Sequence, residues 1–131
     1  MTHKVIHPTG WLPAKGYANG MLAKDGTLHI GGQIGWDANK NFTSDTFIGQ
    51  MRQALSNIRD IVEAAGGTVE DVTRLTWFVT DKAEYLAAQS EVGKAYRDVF
   101  GKHFPAMSMV VVAALIEDEA KVEIEATAHI L

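Results

Sequence analysis

"KVEIEATAHI" (121–130) alternates without a break. In an extended chain Val122, Ile124, Ala126, Ala128 and Ile130 point one way, and Glu123, Glu125, Thr127 and His129 the other. Such a strand belongs in a sheet that packs on a core with one side only. Just before it, "AMSMVVVAAL" (106–115) has little polar alternation and reads as a strand buried on both faces, joined to the last one by the acidic turn "IEDEA". "VTRLTWFVT" (72–80) is β-branched and aromatic and predicts a third strand, with core packing explaining at least one of Trp77 and Phe78.

Working further back, the pattern changes period. Phe47, Ile48, Met51, Leu55, Ile58, Ile61, Val62 and Ala65 recur every three or four residues, predicting a helix from about Asp45 to Ala65 that Gly66-Gly67 stops. A second helix opens at "DKAE", where Asp81 can cap the free amides and Glu84 can reach back. Its inward face is Tyr85, Ala88, Val92, Tyr96, Val99 and Phe100, and it ends near Gly101. Nearer the N-terminus, Asp25-Gly26 in "MLAKDGTLHIGGQIG" (21–35) predicts a hairpin, and "WDANKNFTSD" (36–45) reads as a loop. The order is β-β-α-β-α-β-β. It implies an α+β fold, with both helices on one face of a mixed sheet. The opposite face, partly apolar and uncovered by helix, predicts self-association.

Bulk properties fit a single domain over residues 1–131, with 47% hydrophobic and 21% charged residues. No apolar run approaches the roughly 20 residues of a membrane helix, and "MTHKVIHPTGW" lacks the apolar stretch of a secretory signal. With no cysteine there is neither a disulfide framework nor a thiol nucleophile, and a cytoplasmic location is expected. Twelve basic residues are scattered against 16 acidic ones, for a net charge of −4, which suits phosphate neutralisation poorly. No nucleic-acid partner is expected. His3, His7, His29, His103 and His129 show no metal-ligand spacing, and a packing role is the plainer reading of His103 beside the strand mouth. No phosphate-cradling glycine loop or nucleophile elbow occurs, so no metal or cofactor is expected.

Several stretches together resemble the Rid superfamily (YjgF/RidA-type proteins, also called the endoribonuclease L-PSP family). "GYANG" (16–20) matches that family's glycine-tyrosine loop, and "GGQIG" (31–35) its glycine-glutamine segment. "QALSNIRDIVEAAGG" (53–67) is similar to its first-helix signature, and "HFPAMSMVVVAAL" (103–115) and "KVEIEATA" to its closing strands. The resemblance implies a chorismate-mutase-like domain, assembled as a homotrimer with small-molecule clefts between neighbouring subunits. The best-known members hydrolyse reactive enamines and imines to ketoacids and ammonia.

In the deaminase members an arginine follows "FPA" and clamps the substrate carboxylate; here that position is Met107. One charged contact is worth ~1.5–3 kcal/mol, so its loss weakens a carboxylate ligand by roughly 10- to 100-fold. The chain thus looks like an arginine-lacking subgroup, whose cleft offers a soft apolar wall. A guanidinium from Arg52, Arg74 or Arg97 would restore the cation if it reached the cleft. The deaminases' hydroxyl residue before Gly-Gln is Gly31 here, and an asparagine of the second helix is Gly93. Tyr17 stands where the family's cleft tyrosine does, and Glu123 where a glutamate is thought to orient water. Trp11 and Trp36 flank the same loops.

The candidate site is therefore Glu123 as the catalytic carboxylate, with Tyr17, Gly31, Gly32 and Met107 binding ligand; the two glycines could offer backbone amides. Glu125, two residues from Glu123, is more simply a solvated or ion-paired side chain. The first functional reading is a hydrolase acting on an enamine, imine or related unsaturated metabolite. A non-catalytic trimer that binds or senses a small hydrophobic metabolite is the alternative, and endoribonuclease activity follows only from the family's older name.

Overall fold

Asp25 and Gly26 turn the chain as the sequence implies, in a structure that is a computed structural model describing residues 2–131. Gly26 takes a φ of +95°, and Thr27 N donates to Asp25 Oδ1 at 2.9 Å. The turn joins β2 (Gly20–Leu22) to β3 (Thr27–Gln33), and a short strand, β1 (Lys4–Ile6), adds to β2 on its free side. Periodicity did not point to β1, whose three residues are too few to show alternation.

Helix α1 (Phe47–Ala64) buries the predicted stripe. The Thr46 hydroxyl accepts from Gly49 N at 3.0 Å at its start. Gly66, at φ +93°, ends it. After a single 3-10 turn, β4 (Val72–Val79) leads to a second helical region that differs from the prediction. Backbone at Ala88 leaves helical values (φ −116°, ψ 17°) and divides it into α2 (Lys82–Ala87) and α3 (Gln89–Phe100). Asp81 does cap α2, accepting from Glu84 N at 3.0 Å. Glu84 does not reach back: its carboxylate takes Lys121 Nζ at 3.1 Å instead. An opposite charge close by outcompetes a neutral amide for that side chain.

The remaining strands are β5 (Ala106–Val111) and β6 (Val122–His129), and the sheet order is β1-β2-β3-β6-β4-β5. Only the β4–β5 pairing is parallel, so the sheet is mixed, with the helices on one face as expected. The acidic turn before β6 forms, with Ala120 N donating to Glu117 O at 3.0 Å, and it lies within residues 112–121, which cross the end of β4 because that strand stands between β5 and β6. β5 corrects one expectation: it is not buried on both faces but is the sheet's edge, paired to β4 alone, and most of its residues are exposed in the protomer.

β6 follows its alternation. Val122, Ile124, Ala126 and Ala128 are buried against α1 and its neighbours, together with Leu28, Ile30, Leu75, Trp77 and Val79 from the flanking strands. Glu123, Glu125 and Thr127 share the uncovered face with their partners Phe78, Thr76 and Arg74. The core thus lies between helices and sheet, while the other sheet face stays open.

Candidate functional site

Between Ile30 and Gln33 the β3–β6 register slips. Ile30 pairs with Ala126 and Gln33 with Ile124, so three steps on β3 match two on β6. That extra residue is a β-bulge, formed at the Gly31-Gly32 pair. Asn19 and Gln33, both buried, hold it from below. Gly31 N donates to Asn19 O at 2.9 Å, and Gln33 Nε2 donates to Asn19 Oδ1 (3.2 Å) and to Gly31 O (3.1 Å). The Gly31 amide is therefore already engaged and is not a free donor for a ligand.

Gly32 meets Glu123. A Cβ built on Gly32 would overlap the Glu123 carboxylate, so the missing side chain makes the space that the carboxylate fills. Partial burial, and secondly the charge of Glu125, push the Glu123 carboxyl above the usual carboxylate range. A carboxyl tuned upward and set beside an open backbone is a better proton acceptor than an ordinary one.

Tyr17, half-exposed, lies on the loop that precedes β2, and the same loop's Ala18 carbonyl lies against Gly31. Lys40 pins this loop to the following one. Its backbone sits at φ +60°, its Nζ donates to Pro13 O at 3.0 Å, and it stands 5.9 Å from the Tyr17 ring centre and 5.8 Å from that of Trp36. Such cation–π contacts contribute about 0.5–1 kcal/mol each where exposed. Nothing in the sequence singled out Lys40, whose role depends on contacts distant along the chain. Gln33 was visible only as part of the "GGQIG" wording.

Met107 lies elsewhere. In the parallel register it stands beside Leu75, on the helix-covered side of the sheet. There it lines a pocket of about 140 Å³ with Trp77, Tyr96, Phe104, Met109 and Gly93 among its walls. Glu123 faces the opposite side, across β4. Within one protomer the candidate residues fall in three places: Gly31, Gly32 and Glu123 at the bulge, Met107 under α3, and Tyr17 in a separate hollow lined also by Val5, His7, Trp11, Pro13 and Ala14.

None of the three arginines lines the Met107 pocket. Arg52 Nη1 pairs with Asp98 Oδ2 at 2.9 Å, and Arg74 stands opposite Thr127 on the open face. Arg97 comes to the rim, its Nη1 3.2 Å from where a Gly93 Cβ would be. His103 has a packing role: its Nε2 lies 2.7 Å from Val72 O. Among the described residues no cluster of His, Asp and Glu could hold a metal ion, and no helix is long and apolar enough to cross a membrane.

Known proteins share this architecture. The family model described as endoribonuclease L-PSP matches residues 10–130. The conserved Rid-family protein YyfA of Yersinia pestis is 31% identical, with 98% of this chain and 99% of that one covered at a TM-score of 0.83. Escherichia coli TdcF, solved with bound serine, is also 31% identical, covering 96% and 98% at a TM-score of 0.80. RidA from an Antarctic Psychrobacter is 29% identical, with 97% and 99% covered at a TM-score of 0.82. This chain therefore belongs to the Rid (YjgF/RidA, endoribonuclease L-PSP) family and has its chorismate-mutase-like fold.

Proposed function

We propose that the protein is a Rid-type hydrolase of an enamine, imine or related unsaturated metabolite, with a cleft that favours uncharged ligands. The observation that carries this reading is Glu123, a carboxyl held above its usual range and lodged in the gap left by Gly32. In the ionised form it takes a proton from a water, whose oxygen attacks the imine carbon. The C=N electron pair moves to nitrogen, which gains a proton. The carbinolamine then collapses, expelling ammonia and leaving a carbonyl. Removing a positioned general base costs about 10²–10⁴-fold in rate.

Tyr17 would contact the ligand, and Gly31 would offer an open surface without a side chain. Met107 would supply the wall where a carboxylate clamp would otherwise stand, placing the chain in an arginine-lacking subgroup. Because Met107 and Glu123 occupy opposite faces of one sheet, a cleft using both takes Met107 from one copy and Glu123 from a neighbour. The functional unit is therefore an oligomer, which we take to be a homotrimer.

The test is ammonia release from freshly generated imines, with and without a carboxylate. We expect Glu123→Gln to lower turnover by about 10²–10⁴-fold while the fold persists; unchanged turnover would remove Glu123 from the mechanism. The second reading, a trimer that binds a small hydrophobic metabolite without transforming it, is favoured by the apolar pocket around Met107. Thermal stabilisation by neutral ligands with no ammonia released from any imine would select it.

A further inference from the structure

Lys40, at φ +60°, is the one non-glycine residue with a positive φ among the described residues. A side chain there crowds its own backbone, a penalty that glycine escapes and asparagine largely tolerates. Asparagine stands on either side, as Asn39 and Asn41, yet a lysine holds the left-handed position. The turn does not need that side chain to form. Asp37 closes it: its Oδ1 accepts from Asn39 N (2.9 Å) and Asn41 N (3.0 Å), its O accepts from Lys40 N (2.9 Å), and its N donates to Asn41 O (2.9 Å). Backbone strain that brings no local benefit points to a role beyond the turn.

The ammonium group shows where that role lies. It has no carboxylate partner, the ion pairs among the described residues being Arg52–Asp98 and Lys121–Glu84. Instead it donates to Pro13 O and stands over the rings of Tyr17 and Trp36. Trp36 is a fixed point: Asn57, buried on α1, donates from Nδ2 to Trp36 O at 2.8 Å, and Trp36 bridges to Phe42. Tyr17 is not. Its ring is 52% exposed, and it follows Gly16, whose φ of +82° is open to glycine above all. Tyr17 and Pro13 are walls of a hollow of about 380 Å³ that Trp11 and His7 also line, and Lys40 is not among those walls. Lys40 thus braces the wall from outside the hollow.

We infer that Lys40 is a positioning residue: it ties the Tyr17 ring to the α1-anchored Trp36 and holds that ring ready for a ligand. The inference rests on Tyr17 contacting the ligand, as proposed above, and extends that reading to a residue outside the site. A ring already held in place loses less freedom when a ligand binds, so the brace acts on affinity. It leaves alone the proton transfer assigned to Glu123. The brace needs a cation with reach, so arginine serves in its place, whereas methionine and asparagine do not.

The experiment compares Lys40→Arg, Lys40→Met and Lys40→Asn in the full-length protein labelled with ring-¹³C tyrosine. Tyr17→Phe identifies the Tyr17 signals among those of the three tyrosines. Lys40→Met and Lys40→Asn are expected to move the Tyr17 ring signals toward those of a freely turning, solvated tyrosine, while Tyr85 and Tyr96 stay in place; Lys40→Arg keeps all three. Turnover is followed with the imine of acetophenone, generated in place from α-methylbenzylamine by an amine oxidase. In the same two variants KM is expected to rise about 3- to 10-fold with kcat within about 2-fold, and arginine restores it. In a Tyr17→Leu background, Lys40→Met is expected to add nothing further. Tyr17 signals that Lys40→Met leaves unmoved overturn the inference, as does a KM rise that persists undiminished in the Tyr17→Leu background. A lower urea midpoint for Lys40→Asn with KM unchanged would reduce Lys40 to a stabilising contact, and that too overturns it. Ring signals that move while Tyr17→Leu leaves KM unchanged would sink the Tyr17 ligand contact alone. No turnover of the imine by any form would sink the hydrolase reading and leave the ring signals to decide Lys40.

Discussion

At position 32 the absence of a side chain is what matters. The atoms nearest to an alanine Cβ there belong to the Glu123 side chain, whose far end can swing aside. Gly32→Ala is therefore expected to shift the urea midpoint by less than about 1 kcal/mol of stability, while lowering turnover at least about 10-fold by displacing the carboxylate. A large stability loss in urea with turnover retained would reverse that ordering. Glu123 also gives a pH signature. Its raised pKa in the folded state means that the protonated form folds better, so its contribution is present at acid pH and lost as pH rises through the raised value. Glu123→Gln should accordingly melt higher than the unaltered protein at neutral pH, and the difference should vanish below about pH 4, where both are uncharged. Melting curves across that range check it.

At the scale of elements, Gln50 joins the start of α1 to the crossing before β6. Its Nε2 donates to Ser44 O (3.2 Å) and Glu119 O (2.9 Å), and its Oε1 accepts from Lys121 N at 2.8 Å. Gly35 packs directly on Gln50, where a Cβ would come within 2.7 Å of the helix backbone. Gln50→Ala strands three backbone groups and is expected to cost about 2–3 kcal/mol in urea unfolding, and Gly35→Ala about 1–3 kcal/mol. The links from Gln50 to Glu119 and Lys121 join residues about 70 apart, and nothing in the sequence announced them. What was legible is local: the α1 stripe and its Gly66 stop, the Asp25-Gly26 turn, the Asp81 cap and the alternation of β6 each depend on neighbours within a few residues. The edge position and parallel pairing of β5 depend on which strand it meets, which a run of valines does not encode. The candidate site was legible as residue types at Gly32 and Glu123. The burial that tunes the carboxyl and the Lys40 pin were not.

For the whole molecule, the decisive feature is an apolar edge. β5 pairs on one side only, and Val110 and Val111 are about half exposed beside Met107 and Phe104. An exposed hydrophobic edge strand invites pairing or packing with another chain. Sedimentation is expected to give a mass of three protomers, with Val110→Lys shifting it toward single chains by placing a charge on the open sheet face. A monomer at all concentrations would leave Met107 and Glu123 on opposite sides of one sheet and remove the shared cleft.

The account stands on the proposal that Met107 gives the cleft an apolar wall in place of a cationic clamp. Its most direct test is the ratio of kcat/KM for a neutral imine to that for its carboxylate-bearing counterpart, in the unaltered protein and in Met107→Arg. We predict that the unaltered protein favours the neutral imine, and that Met107→Arg moves the ratio toward the carboxylate by roughly 10- to 100-fold. A preference for the carboxylate in the unaltered protein, lost on Arg97→Ala, would contradict it.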